Sequence, residues 1–124
     1  MAVALFWIYL INAVLLINHE IDSAYWKEWE LFQLPGGITG FLLVHFPLLL
    51  LVLYGLVLVY QATFAGFIVS LVLSLGGLFA FGIHTYFINR GRDGFTAPIS
   101  RIILIATLIV SLIQLAMTLY LLIG

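Results

Sequence analysis

From Leu31 to Asn89 the chain carries no Lys, Arg, Asp or Glu. A helix rises about 1.5 Å per residue and a bilayer core is about 30 Å thick, so one crossing takes about twenty apolar residues. A run this long must cross twice, with a hairpin between the crossings. Tyr60-Gln61-Ala62-Thr63 is the best break, and it sets spans at about 38–60 and about 63–88.

Before that run, Val3 to Tyr25 forms a first span (about 3–25) whose last turns are polar. Tyr25, Trp26 and Trp29 suit an interfacial aromatic belt. Lys27, Glu28 and Glu30 are expected in water, on a short surface helix ending near Leu34, and Pro35-Gly36-Gly37 breaks the chain. Beyond the run, Asn89-Arg90-Gly91-Arg92-Asp93-Gly94 is a polar turn, and Pro98 suits the first turn of a fourth span, about 98–122. The expected fold is all-α: a single-domain, integral-membrane, up-down four-helix bundle over residues 1–124. The N-terminal run has no basic n-region and no small-x-small cleavage site, so it is expected to be a retained span and not a signal peptide.

Composition removes several function classes. Of the 124 residues 65% are hydrophobic and 7% charged, where a soluble domain has about a quarter charged. Lys27, Arg90, Arg92 and Arg101 are the only Lys or Arg, too few and too scattered for nucleic acid or for a polybasic lipid-binding tail. With no cysteine, disulfides, thiolate zinc sites and iron–sulfur clusters are excluded, and a metal must use nitrogen or oxygen ligands. All four basic residues fall in or beside the loops at 26–36 and 89–97. The positive-inside rule makes that side cytoplasmic and puts both termini on the other side.

Polar residues fall on helical stripes. Asn12, His19, Ser23 and Trp26 share one face of the first span, with Asp22 on its shoulder and Glu20 about 100° away. Ser70, Ser74, Gly77, Phe81 and His84 repeat the pattern in the third span, and Thr107, Ser111, Gln114 and Thr118 in the fourth. Lipid cannot satisfy such groups, so each stripe should face the bundle interior. The small residues Ala62, Gly66, Ser70 and Ser74 recur every fourth position, a ladder for close helix packing inside the bundle or in a homo-oligomer or larger membrane complex.

Depth gathers the histidines. His19 lies roughly 10 Å inward from Trp26, His45 roughly 12 Å from Gly37 and His84 roughly 8 Å from Asn89, by the helical rise. Three helices thus deliver all three histidines to one layer, together with Asp22 and Glu20. Pro47, two residues after His45, frees the carbonyl of Leu43. Neutral imidazoles donate lone pairs and a carboxylate offsets an ion's charge, so His19, His45, His84 and Asp22 form a candidate site for a divalent transition metal, Zn²⁺ foremost. Glu20 is an alternative ligand or a general base on metal-bound water, and Ser23 a hydrogen-bonding partner of ligand or water. Metal-assisted hydrolysis of a lipid-like substrate is the simplest chemistry for that set. Against it stands a non-catalytic role as a membrane partner or assembly subunit. The acids would then pair with Arg90, Arg92 or Arg101, and the histidines would only join helices. A bis-histidine haem is a third reading, disfavoured by two close acids and by the lack of basic residues placed for propionates.

His19-Glu20-Ile21-Asp22-Ser23 resembles the early His/acid motif of the HXXEE-type families, small uncharacterised bacterial membrane proteins of similar size and helix number. Their pattern places acids at positions 22 and 23; Asp22 fits, Ser23 departs, and Glu20 is an additional acid. The resemblance implies a bacterial inner-membrane location. In residue types alone, the His/Asp/Ser set is also similar to ceramidase-like and adiponectin-receptor-like zinc hydrolases, whose HxxxH pair is absent here.

Overall fold

The structure, a computed structural model, describes residues 1–91 and 94–124. Among these there are five helices and no strand: α1 (Ala2–Tyr25), α2 (Glu28–Leu31), α3 (Gly37–Tyr60), α4 (Phe64–Asn89) and α5 (Pro98–Ile123). All but α2 are long and apolar enough to cross a membrane, and they pack as a bundle with large apolar side chains exposed around its outside. Arg92 and Asp93, within the polar turn expected at 89–94, lie outside the described residues.

The chain turns between helices by means the residue types do not advertise. α3 ends with Ala62 in the left-handed region (φ 53°). The Ala62 N–H donates to the Val59 carbonyl at 3.0 Å and the Thr63 N–H to the Leu58 carbonyl at 3.2 Å, a Schellman closure of the last carbonyls. Thr63 then caps α4, its hydroxyl accepting from the Gly66 N–H at 3.0 Å. The end of α2 closes in the same manner, with Gln33 at φ 56° and the Leu34 N–H donating to the Trp29 carbonyl at 2.8 Å. Lys27, at φ 55°, occupies the equivalent place between α1 and α2. Pro98 stands in the first turn of α5, where no N–H is required.

Around the bundle the neighbours are α1–α3, α3–α4, α4–α5 and α5–α1. α1 and α4 also touch across the short diagonal, and α3 makes no contact with α5 among the described residues. α2 rests on α1 and α3. The termini end of the bundle has an apolar core of Leu5, Tyr9, Ala13, Val52, Val59 and Leu73, where the fully buried Tyr9 hydroxyl donates to the Val52 carbonyl at 2.7 Å. At mid-depth a closed polar network joins three helices. Asn12 Nδ2 donates to Gln114 Oε1 at 2.8 Å and to Ser111 Oγ at 3.1 Å. Gln114 Nε2 donates to the Ser70 carbonyl and hydroxyl, both at 3.0 Å, and the Ser70 and Thr118 hydroxyls pair at 2.8 Å. The three expected stripes thus face inward. Asn12, His19, Ser23, Ser70, Ser74, His84, Thr107, Ser111, Gln114 and Thr118 are all buried.

Glycine sets the closest helix approach. A Cβ on Gly66 would overlap the Leu58 carbonyl and the Val59 nitrogen of α3, whereas one on Gly82 would meet nothing within 4 Å. Backbone cannot move aside as a side-chain tip can, so Gly66→Ala is expected to cost about 1–3 kcal/mol, the usual penalty for overpacking. Gly82→Ala should leave stability unchanged or slightly higher. Unfolding in mixed detergent micelles measures both.

Candidate functional site

At the end of the bundle opposite the termini, α1 stops at Tyr25 and the left-handed Lys27 folds α2 back beneath the helices. Glu28, expected in water, is therefore turned inward, with a side chain only 16% exposed, while Lys27 and Glu30 stay exposed. This fold-back brings Glu28 to His19 of α1 and His84 of α4. One ligand-type atom from each of the three lies within 4.8 Å of the other two. His84 Nε2 sits 3.1 Å from Glu28 Oε2. The two imidazoles, each 2% exposed, meet edge to face with centroids 4.7 Å apart.

Phe95 closes the cluster. Its centroid lies 4.3 Å from that of His84 and 5.8 Å from that of His19. Phe95 is 2% exposed and holds a left-handed backbone (φ 55°) after Gly94 (φ 113°), a strained conformation kept by its packing. The enclosed polar atoms are not all used. His19 Nδ1, His84 Nδ1, Ser23 Oγ and Asp22 Oδ2 are buried without a hydrogen-bond partner. Buried polar groups left unpaired cost about 1–3 kcal/mol each, and four of them lie in this one layer.

The residues proposed from sequence divide into separate groups. His19 and His84 come together, with Glu28 as the carboxylate in place of Asp22. His45 and Glu20 pair with each other across α1 and α3, through Nε2 and Oε2. The His45 ring is stacked on Phe41 at 3.9 Å, and its Nδ1 lies 2.6 Å from the Phe41 carbonyl. A carbonyl only accepts, so that nitrogen carries a hydrogen. Asp22 Oδ1 accepts from Trp26 Nε1 at 2.9 Å, and the same indole N–H reaches Ser100 Oγ of α5 at 3.3 Å. Asp22 thus helps tie α1 to α5. Ser23 is fully buried one turn after His19. Among the described residues neither Glu20 nor Asp22 pairs with Arg90 or Arg101; Arg92 lies outside them.

Both groups border one cavity of about 760 Å³ between α1, α3 and α4, floored by α2. Its polar end holds His19, Glu20, Glu28, His45 and His84, and the rest of its wall is apolar apart from the Trp29 indole and backbone.

Burial raises the Glu28 carboxyl, but His84, Ser23 and His19 outweigh that effect and hold it below its ordinary value of 4.5. A carboxyl lowered by folding contributes stability that is fully present above its unfolded-state value and lost as pH falls through its lower folded-state value. Glu28→Gln is accordingly expected to lower stability at neutral pH and to flatten the loss seen between about pH 5 and pH 3. Thermal unfolding in detergent across that range is the check.

No curated protein and no solved structure matches the chain. Residues 5–121 match a family model described as "Family of unknown function (DUF6713)", and the chain belongs to that family.

Proposed function

We propose that this protein binds one divalent transition metal ion, Zn²⁺ foremost, through His19, Glu28 and His84. The observation that carries the reading is the convergence of these groups from three different helices to within 4.8 Å, in a layer where their remaining polar atoms lack partners. Bonds of about 2.0–2.1 Å in a tetrahedral site separate ligand atoms by about 3.4 Å, a contraction that side-chain rotation supplies. Two neutral imidazoles and one carboxylate offset half or more of the ion's charge and leave a fourth position open, the ligand arrangement of hydrolytic zinc sites. A metal there would lower the pKa of a bound water to about 7. Ser23 stands beside Glu28 to hold that water or a substrate oxygen, and the Glu20–His45 pair borders the same cavity as a proton donor or acceptor. Hydrolysis of a lipid-like substrate follows as the simplest activity.

The imidazole contact between His19 and His84 favours a metal ion over haem. With centroids 4.7 Å apart the rings leave no space for a porphyrin between them. We place the α2 end in the cytoplasm of a bacterial inner-membrane protein, with both termini outside. Lys27, Arg90 and Arg101 all belong to that end, and the HXXEE-like His19–Ser23 segment suits the same setting.

Elemental analysis of protein without a histidine tag tests the reading. Near one equivalent of metal is expected in the native chain and in His45→Ala. Outer partners of a metal site contribute about 10–100-fold in affinity, so removing a direct ligand by His19→Ala, Glu28→Ala or His84→Ala should weaken binding by at least about a hundredfold. No metal after incubation with Zn²⁺, Fe²⁺ and Mn²⁺ would overturn the proposal and leave the cluster as a helix-joining contact. Equal loss in His45→Ala would overturn the three-residue assignment.

A further inference from the structure

The α3–α4 hairpin is closed at one end and open at the other. Near its turn Gly55 and Gly66 let the helices touch: a Cβ on Gly55 would overlap Val69 of α4, and one on Gly66 would overlap α3 backbone. Farther along, the helices part around the cavity. There its walls are Val44, Leu48 and Leu51 of α3 and Val72, Gly76 and Phe79 of α4. Val44 is 59% exposed and Phe79 67% exposed, so the cavity has its mouth on the side of the bundle that would face lipid. A Cβ on Gly76 would meet nothing within 4 Å, which leaves a gap in the α4 wall.

We infer that this lateral cleft binds a single-chain lipid with a small uncharged oxygen-bearing head, such as a long-chain alcohol, ester or amide. The apolar walls take the chain and the Glu20–His45 pair takes the head. Three features select that occupant. Among the described residues no Lys or Arg borders the cleft, while two carboxylates do, so an anionic phosphate head would meet repulsion and no counter-charge. Each carboxylate already faces a histidine, Glu20 with His45 and Glu28 with His84, so neither is left to neutralise a cationic head. His45 also lies eight residues into α3, about 12 Å along the helix, a depth at which a charged head would be costly. His45 Nδ1 is committed to the Phe41 carbonyl and Nε2 faces Glu20 Oε2, so the polar end of the cleft sets an imidazole nitrogen beside a carboxylate oxygen, hydrogen-bonding groups that a hydroxyl, amide or ester head can meet without bringing a counter-charge. The volume of about 760 Å³ falls within the usual range for small-molecule sites, about 300–1,000 Å³.

This inference needs no metal, and its test is run without one, so its failure and that of the metal site are separable. Chelator-treated protein in phosphatidylcholine nanodiscs is photolabelled with a long-chain alcohol bearing a mid-chain diazirine, and labelled peptides are mapped. Labelling is expected to saturate, to fall on α3 and α4, and to be displaced by monoacylglycerol at concentrations at least about tenfold lower than by lysophosphatidic acid of the same chain, a difference of about 1.4 kcal/mol. Gly76→Phe, at a position where a Cβ meets nothing within 4 Å, puts a ring at the cleft wall and should abolish labelling, whereas Gly82→Phe, equally free at its Cβ but outside the cleft, should retain it. His45→Phe should bring displacement by monoacylglycerol and by the matching alkane to within about twofold of each other. Unsaturable labelling spread over all four long helices would overturn the proposal, since ordinary boundary lipid behaves in that way. Displacement by lysophosphatidic acid as strong as by monoacylglycerol would overturn the assignment of an uncharged head.

Discussion

Hydrocarbon offers no hydrogen bonds, and the arrangement of this bundle follows from that. A side-chain amide or hydroxyl in a spanning helix must find its partner within the protein, on its own backbone or on another helix, and each of α1, α4 and α5 carries such groups along one edge. Turning those edges together fixes the rotation of three helices at once, because Asn12, Gln114 and Ser70 satisfy one another only in that setting. α3 has no comparable stripe. It packs through Val52, Gly55 and Val59 near the hairpin turn and is left free of α5. A helix held mainly at one end can stand away at the other, which is where the cavity lies.

At that open end the constraint reverses. The mid-depth network is closed, with donors and acceptors matched, and it behaves as an assembly joint. The layer at the α2 end is less completely matched: Ser23 Oγ, His19 Nδ1, His84 Nδ1 and Asp22 Oδ2 are buried without partners. Polar groups of the same kinds thus close their hydrogen bonds at mid-depth and leave several open at the α2 end.

Much of this was readable from residue order. The periodicity of Thr107, Ser111, Gln114 and Thr118, and of Ser70, Ser74, Gly77 and His84, predicts the inward faces because spacing alone sets angle on a helix. The common depth of the three histidines is likewise a matter of counting. Which histidine meets which acid is not, since that depends on how two helices are rotated against each other: Glu20, about 100° from His19 on α1, lands on His45 of α3. Glu28 was hidden for a different reason. Its place depends on a left-handed residue at position 27, and that position carries Lys, where glycine or asparagine would have signalled the turn. The flanking Trp26 and Trp29 were the available hint that this segment is anchored against the bundle. Trp29 borders the cavity and Trp26 bonds to Asp22 and Ser100.

The two histidine–carboxylate pairs share one cavity, and their separation has a physical logic. Two carboxylates brought to the same ion or the same proton repel each other, and in low dielectric that repulsion is large. Assigning Glu28 to His84 and Glu20 to His45 gives each acid a hydrogen-bonding partner of its own, which a carboxylate inside a membrane needs. The arrangement leaves one group, His19, Glu28 and His84, closed over by Phe95. The other, at the mouth of an apolar cleft, is suited to meet whatever enters from the bilayer. A ligand seated against Glu20 and His45 would then have its head beside His19, Glu28 and His84 without either carboxylate having to give up its histidine.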